Sequence, residues 1–267
     1  MSENGTSGQT ATATLHSSLN PLYSSPNHPS GSERTIEPSV RPRTLRRTVR
    51  EAITHRPESN ATRREKALYA FAKRALDVFV TGSAILVLSP LFIAIAVAIR
   101  LTSRGPAIYK HTRVGLRGRE FTCYKFRSMS VDADRQKDKL REKNQHKDSR
   151  TFKMANDPRI TPIGRLLRKS SFDELPQLFN VLLGDMSLVG PRPPVPSEVE
   201  QYSWDDLRRL EVKPGLTCIW QVSGRSNIPF PKQLQMDIEY IERQSLLFDL
   251  QLLLRTVPAV LSAKGAY

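Results

Sequence analysis

The sequence predicts an α/β protein, mostly helical with short strands, in which a compact cytosolic domain follows an N-terminal re-entrant membrane helix. Three observations predict this fold. Residues 78–99 form a run of 22 residues without a charge, long enough to span a hydrocarbon core of ~30 Å as one helix. Short alternating apolar runs and helical periods follow Arg104. An apolar stretch with scattered polar residues ends the chain, as in amphipathic helices at a membrane interface. The expected division is 1–65, 66–103 and 104–267.

Residues 1–65 are rich in Ser, Thr, Pro, Asn and Arg and show no apolar period. They hold nine Arg, no Lys and six acidic residues, so they carry only +3 of the net charge of +15. This composition predicts a disordered basic tail. A transit peptide is the alternative, although such segments are poor in acidic residues.

The whole chain holds 41 Lys and Arg against 26 Asp and Glu among 267 residues. A basic surface of this kind suits nucleic acid, anionic lipid or a phosphorylated substrate. The two cysteines, Cys123 and Cys218, are too few for a disulfide framework and lie in no zinc-binding pattern. Secreted disulfide scaffolds and zinc-finger proteins are therefore excluded, and a reducing compartment is favoured.

The uncharged segment contains Ser89-Pro90 near its centre and has basic residues on both sides. Proline removes a helical hydrogen bond and can bend a helix sharply. Because Lys and Arg mark the cytoplasmic side, two basic flanks favour a segment that enters the membrane, breaks at Ser89-Pro90 and returns. A kinked helix that spans the membrane and a buried helix of a soluble protein are the alternatives.

Beyond Arg104 the sequence predicts the elements in order. Two strands come first, around Ala107 to Tyr109 and Phe121 to Phe126, joined by a turn over 115–118. The charged stretch from Asp132 to Arg150 predicts a solvated helix or mobile loop. The remaining expectations are helices over 163–167, 172–183 and 198–210, a strand over 216–222, and two C-terminal helices from Phe230, the second over 245–262.

The adjacent acids Asp173 and Glu174 lie among apolar residues, with three cations one or two turns upstream. Neighbouring carboxylates with cations nearby suit a divalent cation together with a phosphate, because hard ions take oxygen ligands. An Asp N-cap followed by a first-turn Glu explains the same dipeptide without chemistry. Spacing alone leaves both interpretations open.

Four cations and one proline are candidates for binding an anionic substrate. Lys125 and Arg127 fall on one side of a predicted strand, where they could meet a diphosphate together. Arg159 and the pair Arg192-Pro193 lie on proline-stiffened loops, which lose little entropy on binding. Each such loop could equally be a surface turn.

Taken together, these segments resemble the bacterial sugar transferases that initiate glycan assembly on a polyprenyl-phosphate carrier, the monotopic phosphoglycosyl transferases. The resemblance covers residues 66 to 267. It rests on an ordered set of motifs, which are Lys73-Arg74-Ala75-Leu76-Asp77, Ser89-Pro90, Gly105-Pro106, Arg113-Val114-Gly115, Tyr124 to Met129, Asp157 to Thr161, Asp173 to Val181, Gly184 to Ser187, Gly190 to Pro193, Lys213 to Thr217 and Trp220 to Arg225.

The resemblance implies transfer of a sugar-1-phosphate from a UDP-sugar to polyprenyl (undecaprenyl) phosphate, giving polyprenyl-diphospho-sugar and UMP. Asp173 would attack the β-phosphate and hold a covalent phospho-sugar, and Glu174 would bind Mg²⁺. Lys125 and Arg127 would face the diphosphate, and Arg192 would bind the nucleotide or a phosphate. The family implies a monotopic enzyme on the cytoplasmic face of the bacterial inner membrane, acting in exopolysaccharide, capsule, O-antigen or glycoconjugate synthesis.

Two alternatives remain open at this stage. The first is a membrane-tethered basic binding module without catalysis, whose tail engages nucleic acid or an acidic protein. The second is a single-pass anchor that separates residues 1–65 from the folded domain. On the leading hypothesis the partners are a UDP-sugar, polyprenyl phosphate and an anionic membrane surface, with no specific nucleic acid. The sugar and the oligomeric state, a homodimer included, stay open.

Overall fold

A computed structural model of the chain describes residues 42–54, 63–137, 154 and 156–262. The described residues form nine α-helices and four strands, joined by short 3₁₀ turns. The helices are α1 (Pro42–Thr54), α2 (Arg63–Thr102), α3 (Ala133–Lys137), α4 (Pro162–Ser170), α5 (Gln177–Leu183), α6 (Pro196–Val199), α7 (Ile219–Ser223), α8 (Phe230–Glu242) and α9 (Leu246–Ser262). The strands are β1 (Ile108–Val114), β2 (Glu120–Phe126), β3 (Ser187–Val189) and β4 (Gly215–Thr217).

Strands β1 and β2 form an antiparallel hairpin in which Ile108 pairs with Phe126 and Val114 with Glu120. The hairpin was predicted from its alternating apolar residues, and that prediction is confirmed. Its inward side chains Phe121 and Cys123 enter the main hydrophobic core with α5, α7 and α8. The hairpin therefore presents one face of β2 to the core and to the adjoining cleft.

Strands β3 and β4 pair in parallel and are held at close range by glycine. A Cβ on Gly215 would lie 2.0 Å from the backbone nitrogen of Gly190, so no other residue fits at position 215. The expected strand over 216–222 is wrong beyond Thr217, because the chain turns into α7 at Ile219. This turn buries Ile219 and Trp220 in the core, a tertiary gain that overrides local β-propensity.

The sequence also predicted a break at Ser89-Pro90, but the structure shows a helix that is continuous through these residues. Helix α2 runs for 40 residues with Pro90 inside it. Proline cannot donate to the carbonyl of Leu86, four residues earlier. The hydroxyl of Ser89 donates to that same oxygen at 2.8 Å. The Ser-Pro pair therefore supplies its own replacement hydrogen bond, and the helix continues through it.

Helix α2 contacts the folded domain on both sides of Pro90. Before it, Arg74 donates to the carbonyls of Val181 and Leu182 at 2.7 Å each. After it, Phe92 packs edge-on against Phe179. Much of the helix surface is nevertheless exposed and apolar, at Phe71, Val78, Phe79, Leu86, Val87, Ile93, Val97 and Leu101. Among the described residues, Arg64–Thr102 is the one helix long and apolar enough to cross a membrane.

Helix α1 lies within the stretch expected to be a disordered tail, so that expectation is wrong for residues 42–54. Leu45 and Val49 bury their side chains in a second core cluster with Val114 and Leu207. A Cβ on Gly118 would lie 3.3 Å from Val49, so a glycine in the β1–β2 turn lets α1 pack closely. The rest of the expected tail, 1–41 and 55–62, lies outside the described residues.

Three smaller expectations are corrected or only partly covered. The helix expected over 172–183 begins with a 3₁₀ turn, Phe172–Glu174, and the helix expected over 198–210 is divided into α6 and a 3₁₀ turn, Asp206–Leu210. Of the charged stretch from Asp132 to Arg150, α3 is described up to Lys137, and the rest lies outside the described residues. The two C-terminal helices are confirmed as α8 and α9.

Candidate active site

The acidic pair lies in a tight connection between α4 and α5. Helix α4 ends at Ser170, and the next residue, Ser171, has a left-handed φ of 60°. The 3₁₀ turn Phe172–Glu174 follows directly. Pro176 precedes the first residue of α5. This short connection thus holds Asp173 and Glu174 beside β2 of the hairpin.

Glu174 is held by two cations from separate elements. Lys125 of β2 donates to its Oε1 at 2.6 Å, and Arg192 of the loop after β3 approaches the same oxygen at 3.4 Å. Burial disfavours the ionised carboxylate, but these cations outweigh it and lower the pKa of Glu174 to about 2. Glu174 is therefore ionised across the physiological range.

Asp173 has the opposite shift. Its side chain is buried, and burial raises the pKa of Asp173, with the charge of Glu174 adding to the effect and Lys125 opposing it. Adjacent carboxyl groups whose environments push their pKa values apart are a mark of divided roles in catalysis. The geometry thus separates a stable anion at Glu174 from a desolvated carboxyl group at Asp173.

Arg192 is positioned by a buried network behind the cleft. Arg209 donates to the backbone carbonyl of Arg192 at 3.0 Å and is paired with Asp237. The Arg192 guanidinium stacks 5.9 Å from the Trp220 ring. These contacts fix both the backbone and the side chain that reaches Glu174.

The cleft beside the pair includes four of the predicted site residues. Lys125, Glu174, Arg192 and Pro193 line it together. Arg127 does not, because β2 ends at Phe126 and the Arg127 side chain turns away to donate to the carbonyl of Pro106 at 2.8 Å.

Arg159 is also turned away from the cleft. Its guanidinium donates to both oxygens of Asp157, at 2.6 and 2.9 Å for the two shortest bonds, and to the carbonyl of Ala133. Ser89 and Pro90, the expected membrane break, lie exposed in α2. The structure therefore brings Glu174, Lys125, Arg192 and Pro193 together in the cleft. Asp173 is buried directly beside Glu174 and is not itself among the residues that line the cleft, and Arg127 and Arg159 lie outside the group.

Sequence reasoning missed four polar residues that line the cleft, which are Arg113, Cys123, Gln177 and Gln221. Arg113 donates to the carbonyl of Pro193 at 2.9 Å, and burial together with the nearby charge of Arg192 lowers the pKa of Arg113. The signal for Cys123 was available, since it lies two residues before Lys125 on the same face of β2. Gln177 and Gln221 lie within two of the motifs that carry the family resemblance, but nothing in those motifs singled them out as residues of the cleft.

The described residues contain no group of three or more His, Cys, Asp or Glu side chains arranged to hold a metal ion. Two adjacent carboxylates beside cations nevertheless fit Mg²⁺, which is commonly bound by one or two carboxylates together with substrate phosphates. Of the two, Glu174 is ionised and reached from the cleft, so it is the carboxylate that could hold such an ion.

Known proteins match the part of the chain that forms this fold and this cleft. The model of the bacterial sugar transferase family matches residues 68–263. The chain is 42% identical over 223 residues to an undecaprenyl-phosphate galactose phosphotransferase of Salmonella typhimurium, covering 81% of this chain and 45% of the relative. It is 40% identical over 199 residues to the exopolysaccharide production protein ExoY of Rhizobium meliloti, covering 73% of this chain and 88% of the relative.

A UDP-glucose:undecaprenyl-phosphate glucose-1-phosphate transferase of Xanthomonas campestris is 40% identical over 207 residues, covering 74% of this chain and 40% of the relative. The chain thus spans less than half the length of several curated relatives that it matches. The family match itself includes α2 from residue 68 onward, the hairpin and every residue that lines the cleft. The chain therefore belongs to the bacterial sugar transferase family.

Proposed function

We propose that this chain transfers a sugar-1-phosphate from a UDP-sugar to polyprenyl phosphate, giving polyprenyl-diphospho-sugar and UMP. The names of the Salmonella and Xanthomonas relatives describe this class of reaction, and that of the Rhizobium relative describes exopolysaccharide production. The observation that carries the proposal is the pair Asp173 and Glu174 beside Lys125 and Arg192, because it combines a candidate nucleophile with cations that suit phosphates.

In the first step an Asp173 oxygen bonds to the β-phosphorus of the UDP-sugar. The bond from that phosphorus to the oxygen bridging the two phosphates breaks, and UMP leaves with that oxygen and its electron pair. In the second step a phosphate oxygen of the lipid attacks the same phosphorus, and the Asp173 carboxylate is released. A covalent intermediate replaces one displacement between two anions with two easier steps.

The cations perform the electrostatic work. Lys125 and Arg192 neutralise oxygens of the transferring phosphoryl group, as positioned cations do in other phosphoryl transfers. Glu174, with the substrate's phosphate oxygens, would hold Mg²⁺, whose charge would further reduce the repulsion between phosphates.

Helix α2 would hold this cleft at the lipid surface where the acceptor phosphate lies. Residues before and after Pro90 contact the same domain, and basic residues flank the uncharged segment on both sides. We therefore place both ends of α2 on the cytoplasmic face, as a re-entrant helix that bends at Pro90 while it stays hydrogen-bonded. The exposed leucines of α9, Leu247, Leu254 and Leu261 among them, would lie in the membrane interface.

The catalytic proposal is tested with the purified full chain, Mg²⁺, polyprenyl phosphate and a panel of UDP-sugars. Wild type is expected to release UMP from at least one sugar nucleotide, and Asp173→Asn to release none. Without acceptor, wild type should gain the mass of one phospho-sugar, and the variant should not. Unchanged turnover of Asp173→Asn would exclude the nucleophile. Failure of wild type on every UDP-sugar would favour the membrane-tethered binding module.

The topology is tested by labelling engineered cysteines with a membrane-impermeant reagent. Cys123 and Cys218 are buried, so they give little background in the folded protein. Ser39→Cys reports on the N-terminal stretch and Thr112→Cys on the exposed side of β1. Both are expected to react only after the cells are opened. Labelling of Ser39→Cys in intact cells would show that α2 spans the membrane.

A further inference from the structure

We propose that a second, basic cavity in this protein binds the phosphate-bearing headgroup of an anionic membrane lipid. The cavity has a volume of about 450 Å³ and is lined by four cations, Arg46, Arg117, Arg119 and Lys213, with Gly184 and the carboxylate Asp185. The lining carries four positive charges against one negative charge. An anion is the ligand that such a lining favours.

This basic cavity is separate from the candidate active site. Gln177, at the start of α5, lines the catalytic cleft, whereas Gly184, which caps the end of α5, lines the basic cavity. A helix of seven residues is about 10 Å long. The two sites therefore lie at opposite ends of α5, and neither Asp173 nor Glu174 lines the basic cavity.

The cations of the basic cavity are available to a ligand. Within the described part of the chain, the side chains of Arg46, Arg117, Arg119 and Lys213 have no hydrogen bond or ion pair to protein. Burial lowers the pKa of Lys213, with the nearby Arg74 adding to the effect and the carboxylates Asp77 and Asp185 opposing it. A phosphate would relieve this like-charge repulsion and accept charge-assisted hydrogen bonds.

Glycine leaves open the space where this charge is concentrated. Gly184 has a φ of +90°, and a Cβ added there would lie 3.6 Å from Nη2 of Arg74 and 3.7 Å from Nζ of Lys213. Both cations thus face one point beside the end of α5. Any side chain at position 184 would fill part of the space between them.

One wall of the basic cavity is formed by a helix outside the family match. Arg46 belongs to α1 at 42–54, and the match begins at residue 68. Helix α1 is held there by Leu45 and Val49, which pack over Gly118. Helix α1 therefore completes a site that the matched region alone leaves open on one side.

The position of the basic cavity near the start of the uncharged part of α2 favours a lipid as the source of the phosphate. Arg74, which contacts the end of α5 and faces Gly184, is four residues before the uncharged segment that begins at Val78. Leu183, the residue before Gly184, exposes 69% of its surface. A cation-lined cavity beside exposed apolar side chains matches a headgroup with its acyl chains alongside.

The test uses the full chain in detergent without any UDP-sugar, so its result is independent of the transfer reaction. Native mass spectrometry measures retention of phosphatidylglycerol, which is anionic, against phosphatidylcholine, which is zwitterionic. Wild type is expected to retain phosphatidylglycerol preferentially. Arg117→Gln should weaken that retention about tenfold, the loss expected for one charge-assisted hydrogen bond. Arg117→Lys, which keeps the charge, should retain more lipid than Arg117→Gln.

Arg135→Gln is the matched control, because Arg135 is an exposed arginine of α3 that does not line the basic cavity. Arg46→Gln tests the contribution of α1 and should also weaken retention. Equal retention by Arg117→Gln, Arg135→Gln and wild type would overturn the proposal. A second result would also overturn it: binding of inorganic pyrophosphate that depends on Arg117, together with phosphatidylglycerol retention that does not. The ligand of the basic cavity would then be a soluble phosphate. Circular dichroism of each variant checks that the fold is retained.

Discussion

The cation–carboxylate pairs around the cleft differ from those behind it in how much of each pair reaches solvent. In the open group, Lys125 and Glu174 keep nearly a fifth of their side-chain surface exposed, and Arg192 keeps 35%. In the closed pair Arg209–Asp237, the exposed fractions are 4% and 1%. The open cations can exchange a protein carboxylate for a substrate phosphate, whereas the closed pair can only hold its neighbours in place.

The hydrogen-bond partners of Arg209 and Lys125 support this distinction. Arg209 donates hydrogen bonds to Asp237, to the hydroxyl of Tyr202 and to the carbonyl of Arg192. Lys125, in contrast, donates only to Glu174 among the residues that the structure describes. A buried pair seldom adds net stability, but removal of one partner is costly because it leaves an unbalanced charge. Loss of an open pair should therefore reduce activity, and loss of a closed pair should first reduce stability.

The largest expected effect is on the open group. Glu174→Gln removes the anion that holds Lys125 and Arg192 and would hold Mg²⁺, so we expect UMP release to fall about 10³-fold. The free energy of unfolding should change little by comparison. Steady-state kinetics and chemical denaturation of the same preparations measure both quantities. Glu242→Gln, which removes a more exposed partner of Arg208, is the control, and a loss below tenfold for Glu174→Gln would contradict the role assigned to the open group.

The next effect concerns the closed pair. Asp237→Asn leaves Arg209 buried without its counter-charge, and we expect the free energy of unfolding to fall by about 3 kcal/mol. Activity should also fall, because Arg209 holds the backbone of Arg192. Glu239→Gln is the control on the same helix, since its pair with Arg243 is more exposed and is worth at most about 1 kcal/mol. Equal stability of the two variants would remove the distinction between closed and exposed pairs.

The pair Asp157–Arg159 adds a dependence on pH. Burial opposes ionisation of Asp157, but hydrogen bonds from Arg159 outweigh it and hold the pKa of Asp157 below its ordinary value of 3.8. The folded state therefore binds the proton less tightly than the unfolded state does. The stabilisation is present above the unfolded pKa and is lost as the pH falls through the folded pKa.

Asp157→Asn should therefore destabilise the protein at pH 7, and the difference from wild type should shrink as the pH is lowered below about 4. Denaturation curves across this range provide the measurement. Asp132→Asn removes a carboxylate that is two-thirds exposed and should show no such dependence. A difference between wild type and Asp157→Asn that stays constant with pH would contradict ionic pairing as the cause.

The sequence predicted the open group better than the closed one, for a physical reason. Asp173, Glu174, Lys125 and Arg192 are charged residues in apolar or proline-rich surroundings, and such contrasts are visible locally. Arg209 and Asp237 are 28 residues apart and meet only through the packing of the core. No short pattern announces such a pairing.

Secondary structure, too, was predicted correctly where it depends on local sequence and incorrectly where it depends on distant contacts. The hairpin was predicted because alternation is a local property, but α7 was taken for a strand because its burial depends on Trp220 reaching a distant core. The continuous path of α2 through Pro90 depends on one side-chain bond, Ser89 to Leu86, which composition does not reveal. Helix α1 was missed because, among its residues 45–52 whose side chains the structure describes, only Leu45 and Val49 are buried hydrophobic side chains, too few to give a clear period.

The smallest expected effect addresses Arg159, which the sequence assigned to the substrate and the structure pairs with Asp157. Lysine keeps the charge but cannot make the two parallel bonds that Arg159 makes to the carboxylate, so Arg159→Lys should cost about 1 kcal/mol of unfolding free energy. KM for the UDP-sugar should not change, because the guanidinium is spent on Asp157 and Ala133. Lys125→Arg is the counterpart in the open group and should alter KM with little effect on stability. A rise in KM for Arg159→Lys at unchanged stability would contradict this assignment and would show that Arg159 contacts the substrate, as the sequence predicted.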